Sequence, residues 1–218
     1  MNKLFTLNDI KTIFKDGMSI MIGGFLDCGT PDNIVDLLVD LKVKDLTLIC
    51  NDTSFPDRGI GKLIVNNQVK KVIASHIGTN SETGKKMLSN EIEVELSPQG
   101  TLIERIRAAG SGLGGVLTQT GLGTIVEEGK EKILVNGKEY LLEIPLKADL
   151  ALIKGSIVDE SGNTFYRGTT KNFNPYIAMA CDIVVVEAEK LVKNGELGPE
   201  IIMTPAPLVD YIVKKEEL

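Results

Sequence analysis

Residues 19–41 decide the fold that this sequence predicts, and they read SIMIGGFLDCGTPDNIVDLLVDL. The apolar run Ser19–Gly23 comes first, and a glycine-rich loop follows it. Thr30-Pro31-Asp32 then predicts a helix start, because it supplies a capping residue, a proline for the first helical position and an acid for the first turn. The apolar residues behind it share one helical face: Ile34, Leu37, Leu38 and Leu41. The stretch therefore predicts a strand, a tight loop and a helix in succession.

Five further apolar runs have the length and composition of strands. They are Leu46–Cys50, Lys71–Ser75, Ile92–Ser97, Leu150–Lys154 and Ile183–Glu187. Most of them are apolar at successive positions, which is typical of parallel strands with helices on both faces. Helical patterns lie at Leu7–Lys15, Ile60–Asn66, Glu82–Ser89, Pro175–Ala180 and Pro207–Lys214, and run from the capping-box pair Thr101 and Glu104 toward Ala109. We therefore expect an α/β fold, an open and mostly parallel sheet with helices on both faces and a ligand site at the carboxyl ends of its strands.

A two-residue turn signal interrupts this alternation. Asn136-Gly137 lies between Ile133–Val135 and Glu139–Leu142, which predicts an antiparallel hairpin. The 218 residues show neither an internal repeat nor a linker, so we expect a single domain over 1–218 that carries a small antiparallel excursion. The charged tail Lys214–Leu218 is expected to fray.

Composition and charge argue against several classes of protein. The net charge is −6 and the 24 Lys and Arg residues are scattered, whereas a nucleic-acid interface needs a basic stripe to neutralise phosphates. No apolar run approaches the roughly 20 residues that cross a bilayer, and Met1–Lys15 lacks the apolar core of a signal peptide. Cys28, Cys50 and Cys181 are far apart, which argues against a disulfide framework or a metal site and favours a reducing cytoplasm.

The loop after the first strand is the leading candidate for a binding site. Glycines between a strand and a helix permit a tight turn and leave backbone N–H groups open to an anion. The same spacing also suits a simple strand-to-helix turn, so the residues alone leave both interpretations open.

A resemblance to a known family adds to this interpretation. Asp16-Gly17, the apolar residues 20–22, Gly23-Gly24-Phe25, Gly29 and Pro31 resemble the first signature of the family I coenzyme A transferases. Further stretches resemble the alpha chains of its short-chain acyl transferases, above all the acetate/acetoacetate and butyrate–acetoacetate enzymes: Asn51-Asp52-Thr53, Ala74–Asn80, Ser97–Thr101, Gly110–Gly115 and Lys171–Pro175. The resemblance implies a CoA-transferase/NagB-like fold and the transfer of CoA between a short-chain acyl-CoA and a free carboxylate.

The resemblance also implies roles for particular residues. Gln99 matches the glutamine that helps form the oxyanion site beside the thioester carbonyl, where an aligned donor lowers the barrier by a few kcal/mol. Asn51 follows a predicted strand and could contact the substrate carboxylate, although Asn-Asp is also a common turn pair. The implied CoA-binding loop comprises Gly23, Gly24, Phe25, Leu26, Asp27, Cys28 and Gly29.

The nucleophile of the family is not found in this chain. Family I enzymes attack the acyl-CoA with a glutamate in a Ser-Glu-Asn-Gly motif, which lies in the beta chain when the enzyme is split. No such motif occurs here, and Asp159–Asn163 is better explained as a tight turn between strands. The resemblance therefore implies an obligate heterotetramer or larger assembly, whose beta subunit covers apolar surface around the glycine loop. CoA and acyl-CoA are then substrates, and no cofactor or metal is bound permanently.

Other features carry weaker signals. Gly110–Gly115 satisfies G-x-G-x-x-G but follows a predicted helix, so we expect a glycine loop near the site or a subunit interface. His76, the single histidine, is expected to be structural, and Cys28 is expected to be a small loop residue because no base is paired with it. Arg105 and Arg107 could meet CoA phosphates, but solvated helix charges are the ordinary interpretation.

Two other functions stay open on the sequence alone. A stand-alone sugar-phosphate isomerase or hydrolase of the same general fold would hold a phosphate in the glycine loops, but the sequence assigns no acid–base pair for it. An effector-sensing domain of a regulator would accompany a DNA-binding segment, and no basic helix-turn-helix pattern occurs here.

Overall fold

A computed structural model of the chain describes residues 2–214. These residues form fourteen strands: β1 Leu4–Phe5, β2 Ser19–Ile22, β3 Leu46–Ile49, β4 Val69–Ala74, β5 Glu93–Leu96, β6 Val116–Thr118, β7 Lys132–Val135, β8 Lys138–Glu143, β9 Ala148–Gly155, β10 Ile157–Asp159, β11 Thr164–Phe165, β12 Cys181–Ala188, β13 Leu191–Val192 and β14 Tyr211–Lys214. They also form five α-helices: α1 Asp32–Leu41, α2 Gly61–Val65, α3 Ser81–Leu88, α4 Gln99–Gly110 and α5 Asn174–Ile177. Short 3₁₀ helices lie at Asp9–Ile13, Ile125–Glu127, Gly168–Lys171, Pro199–Ile201 and Ala206–Leu208. Apart from Lys214, which ends β14, the tail expected to fray lies outside the described residues.

Eight strands form one parallel sheet in the order β1-β14-β12-β9-β2-β3-β4-β5. All six strands expected from the sequence belong to it, which confirms the open parallel sheet. From β2 the chain moves outward to β5, and it later returns to β9, on the other side of β2, before it moves outward again. The strand order therefore reverses between β2 and β9. In open α/β sheets such a reversal marks the crevice in which ligands bind.

Hydrophobic residues cover both faces of the sheet. On β2, Ile20 belongs to one core and Met21 to the other, because successive side chains of a strand point to opposite faces. α1 contributes Leu38 to the first core, while α4 and α5 contribute Leu102 and Ile177 to the second. The helices therefore cover both faces, as the sequence predicts.

The segment Pro207–Lys214 is not the helix that the sequence predicts. A 3₁₀ turn is followed there by β14, which pairs in parallel with β12. Ile212 and Val213 are both buried, in the two cores on opposite faces of the sheet. A short run that is buried on both faces has no diagnostic period, so strand pairing decides its conformation. The two-residue β1, which pairs with β14, is also missing from the sequence prediction.

The start of α1 lacks the cap that the sequence predicts. Thr30 is not its N-cap, and the local side chains make no capping hydrogen bond. The backbone N–H groups of Asn33 and Ile34 donate instead to the carboxylate of Glu187 on β12, over N···O distances of 2.9 and 3.1 Å. A distant carboxylate therefore satisfies the helix start.

The other predicted helices form with different bounds. α4 begins two residues before Thr101, so Thr101 and Glu104 do not form a capping box. The segment Leu7–Lys15 contains only the 3₁₀ helix Asp9–Ile13, and Pro175–Ala180 contains only the end of the single turn α5. α2 and α3 begin and end within one residue of their predicted bounds.

The antiparallel excursion forms as predicted. β6, β8 and β7 make a three-stranded sheet, and Asn136 and Gly137 form its hairpin turn with φ of 49° and 74°. Two positive φ angles are the requirement of a type I′ turn. Arg105 of α4 anchors this sheet, because its guanidinium donates to Glu95 at 2.7 Å and lies 3.8 Å from the buried Glu143 of β8.

A second small sheet, β11-β10-β13, contains the turn predicted at Asp159–Asn163. The Asp159 carboxylate accepts hydrogen bonds from the backbone N–H groups of Ser161, Gly162 and Asn163 at 2.9–3.0 Å. This confirms a turn between strands at the position that superficially resembles the motif of the family nucleophile. Within residues 2–214, no helix is long and apolar enough to cross a membrane.

Candidate active site

The glycine loop, residues 23–29, lies at the carboxyl end of β2, beside the reversal in strand order. Its backbone turns tightly, because Phe25 and Cys28 exchange N–H···O bonds of 3.0 and 2.9 Å. Leu26 and Asp27 have φ of 48° and 82°, angles that residues with a side chain seldom adopt. Such backbone strain persists only where the surroundings fix the conformation, and it concentrates at functional sites.

Two asparagines from the segment that precedes and begins α5 support the glycine loop. The Asn172 side-chain oxygen accepts a hydrogen bond from the N–H of Gly24 at 3.1 Å, across 148 positions of sequence. The Asn174 amide nitrogen donates to the carbonyl of Gly29 at 3.0 Å. Gly23 packs so closely that an added Cβ would lie 1.8 Å from the Asn174 side-chain oxygen. The shape of the loop therefore depends on both asparagines.

Acidic side chains contact the middle of the loop. The buried Asp52 carboxylate accepts hydrogen bonds from the N–H groups of Leu26 and Ser54 at 3.0 and 2.8 Å. Burial, followed by the nearby negative charge of Asp32, raises the pKa of Asp27 above the usual value of an aspartate. Asp52 therefore stabilises the loop, while the environment of Asp27 favours its protonated form more than water does.

Three of the predicted site residues line one pocket of about 470 Å³. Phe25 belongs to the glycine loop, Asn51 follows β3 and Gln99 begins α4, so the pocket lies at the carboxyl ends of the strands. The remaining lining residues are Ile103, Thr169, Asn172, Phe173 and Tyr176. Amide, hydroxyl and apolar groups thus surround the pocket, and none of the eight lining residues in the described chain carries a charge.

A hydrogen-bond chain joins three strand ends at this pocket. Ser75, which follows β4, has its Oγ 2.7 Å from the carbonyl oxygen of Asn51, and it also bonds to the side-chain oxygen Oε1 of Gln99. A hydroxyl has one hydrogen, so Ser75 donates to only one of these acceptors at a time. With Oε1 directed to Ser75, the Nε2–H donors of Gln99 make no hydrogen bond within residues 2–214. An oxyanion site requires donors placed in this way.

The remaining candidates lie outside the pocket lining. His76 is exposed, and Cys28 is exposed with its Sγ 2.9 Å from the Thr169 hydroxyl. Arg105 is buried in ion pairs, so its interpretation as a solvated helix charge is wrong, whereas Arg107 pairs with Glu104 at the surface as expected. Of the loop residues implied to bind CoA, only Phe25 lines the pocket. Within residues 2–214, no three His, Cys, Asp or Glu side chains lie close enough together to hold a metal ion.

Comparison with known proteins identifies the family of this chain. A model of the coenzyme A transferase family matches residues 8–215. The chain belongs to this family. CoA and acyl-CoA are substrates of such transferases rather than resident cofactors.

Two relatives match this CoA transferase chain over nearly its whole length. The acetoacetyl-CoA:acetate/butyrate CoA transferase alpha subunit of Clostridium acetobutylicum is 66% identical over 98% of this chain and 98% of its own. The acetate CoA-transferase subunit alpha of Escherichia coli K12 is 56% identical over 99% of this chain and 98% of its own.

A solved structure confirms the CoA-transferase fold. The acyl-CoA transferase of Escherichia coli O157:H7, in its thioester complex with CoA, matches with a TM-score of 0.84 at 23% identity. The match covers 98% of this CoA transferase chain and 47% of the other, so this chain spans about half the length of that protein.

Most of the pocket wall of this CoA transferase chain was not predicted from the sequence. Asn172 and Phe173 lie in Lys171–Pro175, a stretch singled out for its resemblance but given no role. The signal available in the sequence was a pair of asparagines, Asn172 and Asn174, that flank Phe173 and precede Pro175. Ile103 was also missed, although it follows Gln99 by four positions and therefore lies on the same face of α4.

Proposed function

We propose that this chain is the alpha subunit of an enzyme that transfers CoA between acetoacetyl-CoA and a short-chain carboxylate such as acetate or butyrate. The observation that carries the proposal is the 66% identity to the Clostridium acetobutylicum subunit, which extends over both chains. The pocket is consistent with this function, because it offers neutral donors beside apolar walls. The glycine loop would then contact CoA, Gln99 would face the reacting carbonyl and Asn51 would contact the carboxylate.

The reaction needs a nucleophile, which we place on a beta subunit with a Ser-Glu-Asn-Gly motif. The glutamate carboxylate attacks the thioester carbon, the C–S bond breaks, and CoA leaves as a thiolate while a mixed anhydride forms. The thiolate then attacks the glutamyl carbonyl, which releases the first carboxylate and leaves a glutamyl-CoA thioester. A second carboxylate reverses these two steps. Each attack creates an oxyanion, which the Gln99 amide stabilises.

The proposed assembly is a cytoplasmic heterotetramer or larger complex. Phe25 and Leu26, on the glycine loop, are 47% and 38% exposed in the isolated chain. Exposed apolar side chains on a loop that contributes to the pocket suit burial by a second subunit. The three free cysteines suit a reducing compartment.

CoA transfer from acetoacetyl-CoA to acetate, followed at the thioester, tests the proposal. We expect turnover only when this chain is mixed with its beta partner, and a fall of about 10²–10³ in kcat for Gln99→Ala. Turnover by the chain alone would contradict the split site. Turnover of a phosphosugar by the chain alone would favour the isomerase instead.

A further inference from the structure

One side of the pocket is an apolar wall built by α4, by the residue that precedes α5 and by α5 itself. Ile103, Phe173 and Tyr176 supply it, and Phe173 is almost completely buried. The polar groups in the pocket are three amides and the hydroxyls of Thr169 and Tyr176, and the described lining includes no basic side chain. The pocket therefore matches a ligand with one polar end and a short apolar tail, since an extra charge in it would lose water without gaining a partner.

Helix geometry places Gln99 and Ile103 in line along α4. Both residues line the pocket, and they are four positions apart on one helix, so they lie on the same face. One such step advances about 6 Å along the helix axis, a length comparable to that of a butyryl group. A carbonyl carbon beside the Gln99 amide would thus direct its hydrocarbon tail toward Ile103.

We infer that Ile103 is a specificity-determining residue, which sets the length and polarity of the acyl group that this pocket accepts. The inference rests on the proposed function and names the substrate class of the same site: short, unbranched monocarboxylates. In this inference the Ile103 side chain, which lines the pocket, limits the length of tail that fits beside it. Its apolar surface also disfavours a dicarboxylate, whose second carboxylate would contact it without a cationic partner.

Competition between acceptors in the assembled enzyme tests the inference. With acetoacetyl-CoA as donor, kcat/KM is measured for acetate, butyrate, hexanoate and succinate in the wild type, Ile103→Ala, Ile103→Val and Ile103→Arg. We expect Ile103→Ala to raise the hexanoate-to-acetate ratio about tenfold or more, and Ile103→Val to raise it less. Ile103→Arg should raise the succinate-to-butyrate ratio. Ratios within one variant do not depend on the fraction of enzyme that folds.

Ile201→Ala is the matched control, because Ile201 is 45% exposed and lies outside the pocket lining. The control should keep the wild-type ratios. Wild-type turnover with unchanged ratios in all three Ile103 variants would overturn the inference and leave the proposed function intact. Absence of CoA transfer in the wild-type complex would overturn the proposed function, and the inference with it.

Discussion

The carboxylate of Glu187, on β12, accepts a hydrogen bond from the backbone N–H of Ile34 in the first turn of α1, at 3.1 Å. The same oxygen also accepts the N–H of Asn33. Glu187 is fully buried, and this burial raises its pKa to about 7, although the two N–H groups and Lys154 favour the charged form. A carboxyl that titrates near neutrality thus supports the helix that follows the glycine loop.

This pKa makes the stability of the chain depend on pH. The folded state binds the Glu187 proton more tightly than the unfolded state, whose pKa is near 4.5. Stability therefore falls as pH rises from about 4.5 to about 7, by at most about 3 kcal/mol, and this loss stays constant above that window. Glu187→Gln removes this contribution but keeps a hydrogen-bond acceptor. When urea unfolding is measured from pH 4.5 to 8, the difference in the free energy of unfolding between wild type and Glu187→Gln should grow with pH. A difference that stays constant over this range would contradict the raised pKa.

Gly23 should tolerate no side chain. An alanine Cβ there would meet the Asn174 side-chain oxygen at 1.8 Å, so we expect Gly23→Ala to lower the free energy of unfolding by about 1–3 kcal/mol. Gly84, within α3, has open space where a Cβ would lie, and Gly84→Ala should stabilise the chain by about 0.5–1 kcal/mol. Urea unfolding measures both changes. Equal changes in the free energy of unfolding for Gly23→Ala and Gly84→Ala would contradict this prediction, because they would show that the glycine loop rearranges to accommodate the added methyl group.

Ser75 should act on turnover through Gln99. Loss of its hydroxyl in Ser75→Ala frees the Gln99 amide to rotate, and we expect kcat of the assembled enzyme to fall about 3- to 10-fold, the value of one hydrogen bond. Ser75→Thr should retain most of the activity. In a Gln99→Ala background the Ser75→Ala change should have little further effect. An equal fall in both backgrounds would show that Ser75 acts independently.

Arg105 should matter for stability far more than Arg107. Arg105→Ala leaves the buried Glu143 with Lys130 as its remaining cationic partner among the described residues, and we expect a loss of about 1–3 kcal/mol in urea unfolding. Arg107→Ala breaks only an exposed pair with Glu104 and should leave the free energy of unfolding almost unchanged. Similar losses of stability for Arg105→Ala and Arg107→Ala would contradict this prediction, because they would show that Arg105 contributes little to holding the small antiparallel sheet in place.

The parallel sheet could be predicted from the sequence because its central strands are continuous apolar runs between helical patterns. The start of α1 could not, because its cap comes from Glu187, more than 150 positions away. A local signal such as Thr30 indicates only the conformation that a short segment would prefer in isolation. A contact with a distant residue can override that preference. β14 was missed for the same reason, since pairing with β12 determines its conformation.

The same distinction between local and long-range signals applies to the candidate site. The glycine loop, Asn51 and Gln99 were proposed as site residues because they follow predicted strands and match family motifs. Their contacts with Ser75 and Asn172, and the place of Phe173 in the same pocket, were not predicted, because the order of strands in a sheet cannot be read from local periodicity. Spatial neighbours from separate loops become visible only once that order is known.

The pairing of β2 with β9 joins Ser19 to Asp149, 130 positions later in the chain. β2 to β5 can associate early during synthesis, because they are close in sequence and neighbours in the sheet. The crevice between β2 and β9 cannot close until β9 has left the ribosome and overcome the entropy of a long loop. The candidate pocket is therefore completed late in folding, and a truncated or nascent chain that already contains the whole glycine loop still lacks the wall that residues 169–176 supply.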